Sequence, residues 1–242
     1  MAGAATLAGL ILLLPLAGTT GPLPAARIAA YALILAPVTL LLHGFFVAAV
    51  SYPTSRLLAI GAVAAVLGLT SVLLSSPGDL ENGSGVLVLL ALCVADLSRI
   101  LAAACVGIAL ARYVTSIGTA LIIVLVAIAS DLFSVFAGPT RMLVQENSPL
   151  LDGLLLVFPT FGSALGFGLG LSDFIFLALF AAAGRFLNLR YVATLIGVCF
   201  AAFLAVSAGL LLERPLPALP FIAAAFVFVN ADLIVASLAK SR

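Results

Sequence analysis

Apolar runs of about twenty residues, separated by short polar connections, recur along the chain. An α-helix rises about 1.5 Å per residue, so a run of this length crosses the roughly 30 Å of hydrocarbon in a bilayer. Only 8% of the 242 residues are charged, whereas about a quarter of the residues in a soluble domain are charged. The sequence therefore predicts an all-α membrane protein, a polytopic bundle of transmembrane helices, and excludes a water-soluble domain.

The hydropathy pattern divides the chain into eight predicted spans. The first run is short and has no basic leader, so a retained span is predicted in preference to a signal peptide. Residues 1–242 are interpreted as a single transmembrane domain, with N-terminal helices in 1–112 and a second group of helices in 113–242. The predicted spans are Ala4–Leu16, Ala26–Val50, Arg56–Leu74, Val86–Leu110, Val114–Phe136, Ser163–Ala183, Tyr191–Leu212 and Phe221–Leu238.

Basic residues are divided unevenly between the two sides of these spans. Under the positive-inside rule, the side with more of them faces the cytoplasm, which places both termini there. The net charge of +1 gives no reason to expect a nucleic-acid partner. The side that holds the termini carries six basic residues and the other side three: Arg56, Arg112, Arg185, Arg190, Lys240 and Arg242, against Arg27, Arg141 and Arg214.

Two acidic residues interrupt consecutive apolar runs, Asp131 in the fifth span and Asp173 in the sixth. A carboxylate in the middle of a bilayer costs at least about 2.5–3.5 kcal/mol, so an acid in such a position is a candidate for function. Consecutive spans run antiparallel, and this spacing predicts that both acids lie about 12–15 Å from the same membrane face. Glycines at 162, 166 and 170 predict a smooth stripe on the sixth span that would allow close helix packing.

Paired carboxylates in a site of low dielectric constant cannot both ionise, so they share one proton. The ionised member can take a proton from water while the protonated member polarises a peptide carbonyl. This chemistry hydrolyses a peptide bond without a metal, a cofactor or a covalent intermediate. The alternative interpretation is structural, with each acid bound only to a neighbouring helix.

The segment Leu216-Pro217-Ala218-Leu219-Pro220 precedes the last span, and Pro215 comes directly before it. Three prolines in six residues forbid a regular helix and leave backbone carbonyls without amide partners. Such backbone is tolerated at membrane depth only against protein or a water-filled cavity. The sequence allows either a segment that lines a cavity or a simple turn at the interface.

These segments resemble the presenilin and signal-peptide-peptidase family of intramembrane aspartyl proteases. Leu169-Gly170-Leu171-Ser172-Asp173 is similar to the Gly-x-Gly-Asp segment of that family, and Pro217-Ala218-Leu219 is similar to its Pro-Ala-Leu motif. Asp131-Leu132, followed by Pro139-Thr140-Arg141-Met142-Leu143-Val144, resembles the Tyr-Asp segment and the stretch that follows it. The three occur in the order of the family, over about residues 114–238.

The resemblance implies that Asp131 and Asp173 are the catalytic pair of an aspartic endopeptidase that needs no metal or cofactor. It further implies nine spans, a multi-pass protein in the plasma membrane of a prokaryote, and substrates that are transmembrane helices or signal-peptide remnants in contact with lipid. Two departures are Ser172 in place of the second glycine and Ser130 in place of the usual tyrosine. Six residues are expected to line the site and position substrate: Gly170, Leu171, Ser172, Pro217, Ala218 and Leu219.

Two other functions are compatible with intramembrane acids. A small secondary transporter would use Asp131 and Asp173 to bind protons or cations between helices, although the two halves of the sequence show no inverted repeat. The other compatible function is a scaffold that binds helices without cleaving them. Incubation of the protein with a transmembrane peptide distinguishes both from a protease.

The remaining polar residues within the apolar runs are predicted to have structural roles. Asp96 and Arg99 are three residues apart and are expected to pair on one helix face, and His43 is expected to be hydrogen-bonded within the packing. Asp232 is expected to reach the interface. The segment Leu154–Phe158 offers two alternatives, strand addition with an unwound substrate or an interfacial anchor.

Overall fold

The computed structural model describes residues 39–74 (except 41), 86–136, 155–157, 168–212 and 216–240. These residues are mostly helical. The elements in chain order are α1 (42–49), α2 (Thr54–Leu74), α3 (Val86–Ala111), α4 (Ile117–Phe136), β1 (Leu155–Val157), β2 (Gly168–Gly170), α5 (Leu171–Phe186), α6 (Tyr191–Leu212), α7 (Leu219–Val229) and α8 (Ala231–Lys240).

Three helices within the described residues are long and apolar enough to cross a membrane, over Val94–Ala111, Ile117–Phe136 and Tyr191–Gly209. Helices α7 and α8 become a fourth candidate if they count together as one span, although they are bent by 66° at Asn230. The composition of these helices agrees with the predicted membrane protein. The predicted first span and most of the second lie outside the described residues.

Four predicted spans correspond to helices whose ends lie within three residues of the predicted ends. They are α2, α3, α4 and α6, and α6 has the predicted bounds of Tyr191 and Leu212. Each of these runs is mostly apolar and is bounded in the sequence by turn-forming or polar residues. Hydropathy and turn chemistry are therefore enough to locate them.

The predictions for the sixth and eighth spans were wrong in their boundaries. Helix α5 begins at Leu171, not near Ser163, because residues 168–170 are extended and pair with β1. Gly170 therefore cannot belong to a glycine stripe on a helix, and Gly162 and Gly166 lie outside the described residues. The eighth predicted span is two helices, because Asn230 ends α7 and the chain turns before α8.

Small residues allow the helices to approach closely. A Cβ atom at Gly107 in α3 would lie 2.4 Å from the carbonyl oxygen of Ile175 and 2.6 Å from Cβ of Ala178, both in α5. Similarly, a Cβ atom at Gly61 in α2 would lie 3.0 Å from Cβ of Cys105 in α3. Without side chains at these two positions, α3 packs directly against α2 and α5 and joins them in one core.

The connection between α1 and α2 is held by Arg112, directly after α3. Its guanidinium donates to Thr54 Oγ1 at 3.0 Å and to the carbonyl oxygen of Val50 at 3.3 Å, and it also donates to the carbonyl oxygen of Tyr52. Tyr52 and Tyr113 are exposed at these helix ends, as expected for aromatic residues at a membrane interface. Arg112 thus satisfies backbone carbonyls that the turn leaves without amide partners.

Candidate active site

Asp131 lies in the C-terminal part of α4 and is half-buried. Its Oδ2 accepts a hydrogen bond of 2.9 Å from the backbone N–H of Leu219, the first residue of α7. The first N–H groups of a helix have no partner within the helix, and Ala218 before them has no side-chain oxygen to act as a cap. Asp131 therefore caps α7 from another helix.

Asp173 is the third residue of α5 and is 9% exposed. Its Oδ2 accepts a hydrogen bond of 3.0 Å from the backbone N–H of Gly170, directly before the helix. An acid at this position that reaches back to the residue before the helix is one half of a capping box. The carboxylate is thus fixed by the way the helix starts, and not by a position deep within a helix as the sequence predicted.

Helix α4, which carries Asp131, and helix α5, which carries Asp173, are in contact with each other and with α7. Asp131 is 14 residues from Ile117 at the start of α4, and Asp173 is 13 residues from Phe186 at the end of α5. At about 1.5 Å per residue, the acids lie roughly 21 Å and 20 Å from those two ends. The match in depth stays a prediction, and the similar distances of the two acids from Ile117 and Phe186 are compatible with it.

Two helix N-termini meet at this site. Asp173 lies in the first turn of α5, and Asp131 binds the first N–H of α7. Unpaired N–H groups give a helix N-terminus about half a positive charge, which favours a negative charge nearby. The arrangement suits one ionised carboxylate, or an oxyanion, in a buried setting.

The Pro-Ala-Leu segment lies against the core. Pro217, Ala218 and Leu219 are all buried, and the chain is non-helical until Leu219. Pro220 occupies the first turn of α7, where a missing N–H costs nothing. Since Leu219 donates to Asp131, the structure brings this segment to one of the two predicted acids.

The residues before Asp173 differ in their surroundings. Gly170 is half-buried, and a Cβ atom there would lie 3.3 Å from Asp173 Oδ2 and 3.3 Å from Ser172 Oγ. A side chain at Gly170 would therefore crowd the carboxylate. Leu171 is half-buried and Ser172 is exposed.

Several predictions for other polar residues are confirmed. Asp96 and Arg99 form an ion pair of 3.3 Å with little exposure. His43 Nδ1 lies 3.3 Å from the hydroxyl of Tyr191, and the two rings stack. Asp232 is exposed, as expected for a residue near the interface.

Sequence reasoning missed a second polar cluster, at the break between α7 and α8. Asn230 is fully buried there and hydrogen-bonded to Thr194, which is also fully buried, while Arg190 pairs with Asp232 at 2.6 Å. An asparagine followed two residues later by an aspartate, within an apolar run, was the available signal. Among the described residues, groups of three or more metal-binding side chains are absent.

Comparisons with models of known protein families, with curated proteins and with solved structures found no match. The family resemblance therefore stays a proposal, and the geometry of the two acids and the Leu219 amide is what supports it.

Proposed function

We propose that this protein is an intramembrane aspartyl protease that hydrolyses peptide bonds of transmembrane helices or signal-peptide remnants. The observation that carries the proposal is the convergence of three separate chain segments at one place. The helices that carry Asp131 and the buried Asp173 contact each other and α7, and Asp131 accepts a hydrogen bond from Leu219 of the Pro-Ala-Leu segment. Ordinary helix packing would not require an acid on each of two contacting helices.

The reaction proposed here uses the pair as one acid and one base. The ionised carboxylate takes a proton from a water molecule, whose oxygen attacks the carbon of the peptide carbonyl. The protonated carboxyl gives its proton to the carbonyl oxygen, which completes a tetrahedral diol. The carboxyl that took the proton from water then gives it to the nitrogen as the C–N bond breaks, and the other carboxylate takes back a hydroxyl proton, which restores the pair. Within the described contacts, Oδ2 of each acid binds a backbone N–H, so Oδ1 is the atom proposed to face water and substrate.

The strand pair offers a way to hold an unwound substrate. Leu155–Val157 lies in the segment for which strand addition was one interpretation, and it pairs antiparallel with Gly168–Gly170, directly before α5. A two-stranded pair has an outer edge on each strand, and an extended peptide can add to such an edge through backbone hydrogen bonds. We propose that the substrate joins this pair and so presents its backbone to Asp173.

The membrane setting follows from the same proposal. A multi-pass protein with eight or, as the family resemblance implies, nine spans would place the pair within the hydrocarbon layer. The proposed location is the plasma membrane of a prokaryote. The proposed partners are helical membrane substrates and lipid.

A transporter is the second candidate, and the broken helix at Asn230 is the observation that favours it. Transporters place their binding sites at such breaks. Here, however, Asn230 is 11 residues from Leu219 along α7, which is about 16 Å from the contact with Asp131. The break and the two acids therefore do not form one site, and the protease is the better supported function.

The decisive experiment is incubation of the purified protein with a transmembrane peptide, followed by mass spectrometry of the products. We expect a defined cut that is suppressed by an aspartyl-protease transition-state analogue. An intact peptide, together with proton-coupled or cation-coupled uptake in liposomes, would favour the transporter.

Leu219→Ala should strongly reduce cleavage, because it removes a buried side chain of the Pro-Ala-Leu segment while keeping the N–H that Asp131 binds. The matched control is Leu238→Ala, which alters an exposed leucine of α8 and should leave cleavage unchanged. Cleavage is measured below the melting temperature of both variants. Equal rates for the two would mean that the segment is only a turn.

Ser172→Gly should keep or raise the rate of cleavage. Ser172 is exposed in the first turn of α5, and the resemblance implies that a glycine is accepted there. The rate is measured with the same peptide. Complete inactivation would instead assign an essential role to the hydroxyl group.

A further inference from the structure

Asn230 ends α7 with a side chain that is fully buried and engaged at both of its polar atoms. Its Oδ1 accepts from the backbone N–H of Arg190 at 3.1 Å, directly before α6. Its Nδ2 donates to Thr194 Oγ1 at 2.8 Å and to the carbonyl oxygen of Phe226 at 2.9 Å. The end of α7 is thus bound to the start of α6 by hydrogen bonds that exclude water.

Arg190 adds a second connection at the same place. Its guanidinium donates to the carbonyl oxygen of Val229, the last residue of α7, at 3.1 Å. It also binds both carboxylate oxygens of Asp232, at 2.8 Å and 2.6 Å. Because this ion pair is exposed, the buried contacts of Asn230 are the stronger constraint.

Helix α7 links this cluster to Asp131. A helix cannot stretch, so a shift of its last residue along the axis moves its first residue by the same amount. Helices α6 and α7 are also in direct contact, since a Cβ atom at Gly197 in α6 would lie 2.9 Å from Cγ2 of Val229 in α7. A slip of α7 by one residue would move Leu219 by about 1.5 Å along the axis and about 100° around it. A hydrogen bond of 2.9 Å does not survive such a movement.

We infer that Asn230 is a positioning residue, which sets the register of α7 against α6 and so holds the Leu219 amide on Asp131 from about 16 Å away. Thr194 acts with it as the buried acceptor. The effect of this register on the place and rate of cleavage rests on the proposed protease function. The inference that Asn230 sets the register of α7 does not depend on that function.

The first test is hydrogen–deuterium exchange of the full-length protein in detergent. A peptide covering 216–221 is informative, because Pro217 and Pro220 have no amide hydrogen and few amides besides Leu219 contribute. In Asn230→Leu and Thr194→Val, we expect this peptide to exchange about tenfold faster, as for the loss of one hydrogen bond. Thr194→Val removes only the hydroxyl group and keeps the volume, and Thr194→Ser should restore slow exchange.

The matched control is Asp96→Asn, which weakens a polar contact in α3 and should leave exchange in 216–221 unchanged. Faster exchange confined to 226–234 in both variants would overturn the inference, because Asn230 would then act only locally. Unchanged exchange in both would overturn it as well.

The second test is the cleavage reaction. A misplacement of about 1 Å can cost up to about a hundredfold in rate, so kcat should fall by about ten- to a hundredfold in Asn230→Leu, and the cut should spread to neighbouring bonds. A wild-type protein that cleaves nothing would contradict the protease proposal but leave the exchange result intact. A normal kcat with a single cut in Asn230→Leu would contradict the inference alone.

Discussion

Asp131→Asn and Asp173→Asn should each abolish peptide cleavage, lowering the rate by about 10³-fold or more. An amide can neither accept the proton of the attacking water as a carboxylate does nor supply an acidic proton to the carbonyl. The double variant should be no worse than either single variant, since the pair acts as a unit. The measurement is the rate of product formation from a transmembrane peptide.

The two variants should remain folded, because asparagine keeps the one hydrogen bond that each acid accepts from a backbone N–H. Its side-chain oxygen can still accept from the N–H of Leu219 at position 131 and from that of Gly170 at position 173. Removing a charge from a buried pair often leaves stability unchanged or improved. We therefore expect melting temperatures at or above that of the wild type.

Asp96→Asn is the control for the loss of a half-buried acid. It weakens the ion pair with Arg99, and should lower the melting temperature while leaving cleavage measurable. Cleavage near the wild-type rate by either variant of the pair would end the protease proposal. If Asp131→Asn and Asp173→Asn both unfold while Asp96→Asn stays folded, Asp131 and Asp173 have a structural role only.

Gly107→Ala should destabilise the protein by about 3 kcal/mol, at the upper end of the usual cost of overpacking. The added methyl group would lie 2.4 Å from a backbone oxygen and 2.9 Å from a backbone nitrogen of α5. Neither atom can rotate away as a flexible side chain would, so α3 and α5 must separate. Because α5 carries Asp173, cleavage should fall together with the melting temperature.

Gly118→Ala is the matched control in a neighbouring helix. A methyl group there meets only Ser116 Oγ, at 3.7 Å, and alanine favours a helix over glycine. Thermal unfolding in detergent should show an unchanged or slightly higher melting temperature. Equal behaviour of the two variants would mean that α3 and α5 do not pack as closely as described.

The sequence predicted the helices best where a uniform apolar run ends in turn residues, and α6 is the clearest case. It failed at Leu171, because residues 163–183 are almost entirely apolar and hydropathy does not distinguish a strand from a helix within such a run. Asp173 itself carried the correct signal. An acid in the first turn is typical of a helix start, but the prediction placed Asp173 in the middle of a membrane span.

The candidate site was predictable in its residues but not in its contacts. The motifs named Asp131, Asp173 and Leu219, whereas the hydrogen bond between the first and the last of these joins positions 88 residues apart. The cluster at Asn230 was missed for the same reason, since its partners Arg190, directly before α6, and Thr194, within α6, are 40 and 36 residues away. Long-range polar contacts of this kind leave no periodic pattern in a sequence.

The strand Gly168–Gly170 has a consequence for how the solvent reaches the two acids. Gly170 is 16 residues from Phe186, or about 24 Å along the chain direction of α5. In the proposed membrane setting, with Phe186 at one edge of a roughly 30 Å hydrocarbon layer, about 6 Å of that layer would lie beyond Gly170. Extended backbone at that depth needs protein or a water-filled cavity around it. On the proposed transmembrane placement of α5, water would reach Asp173 through this thin layer, from the surface opposite Arg185 and Arg190. A polar reagent that cannot cross membranes should reach the acids when it is added on that side and not when it is added on the other.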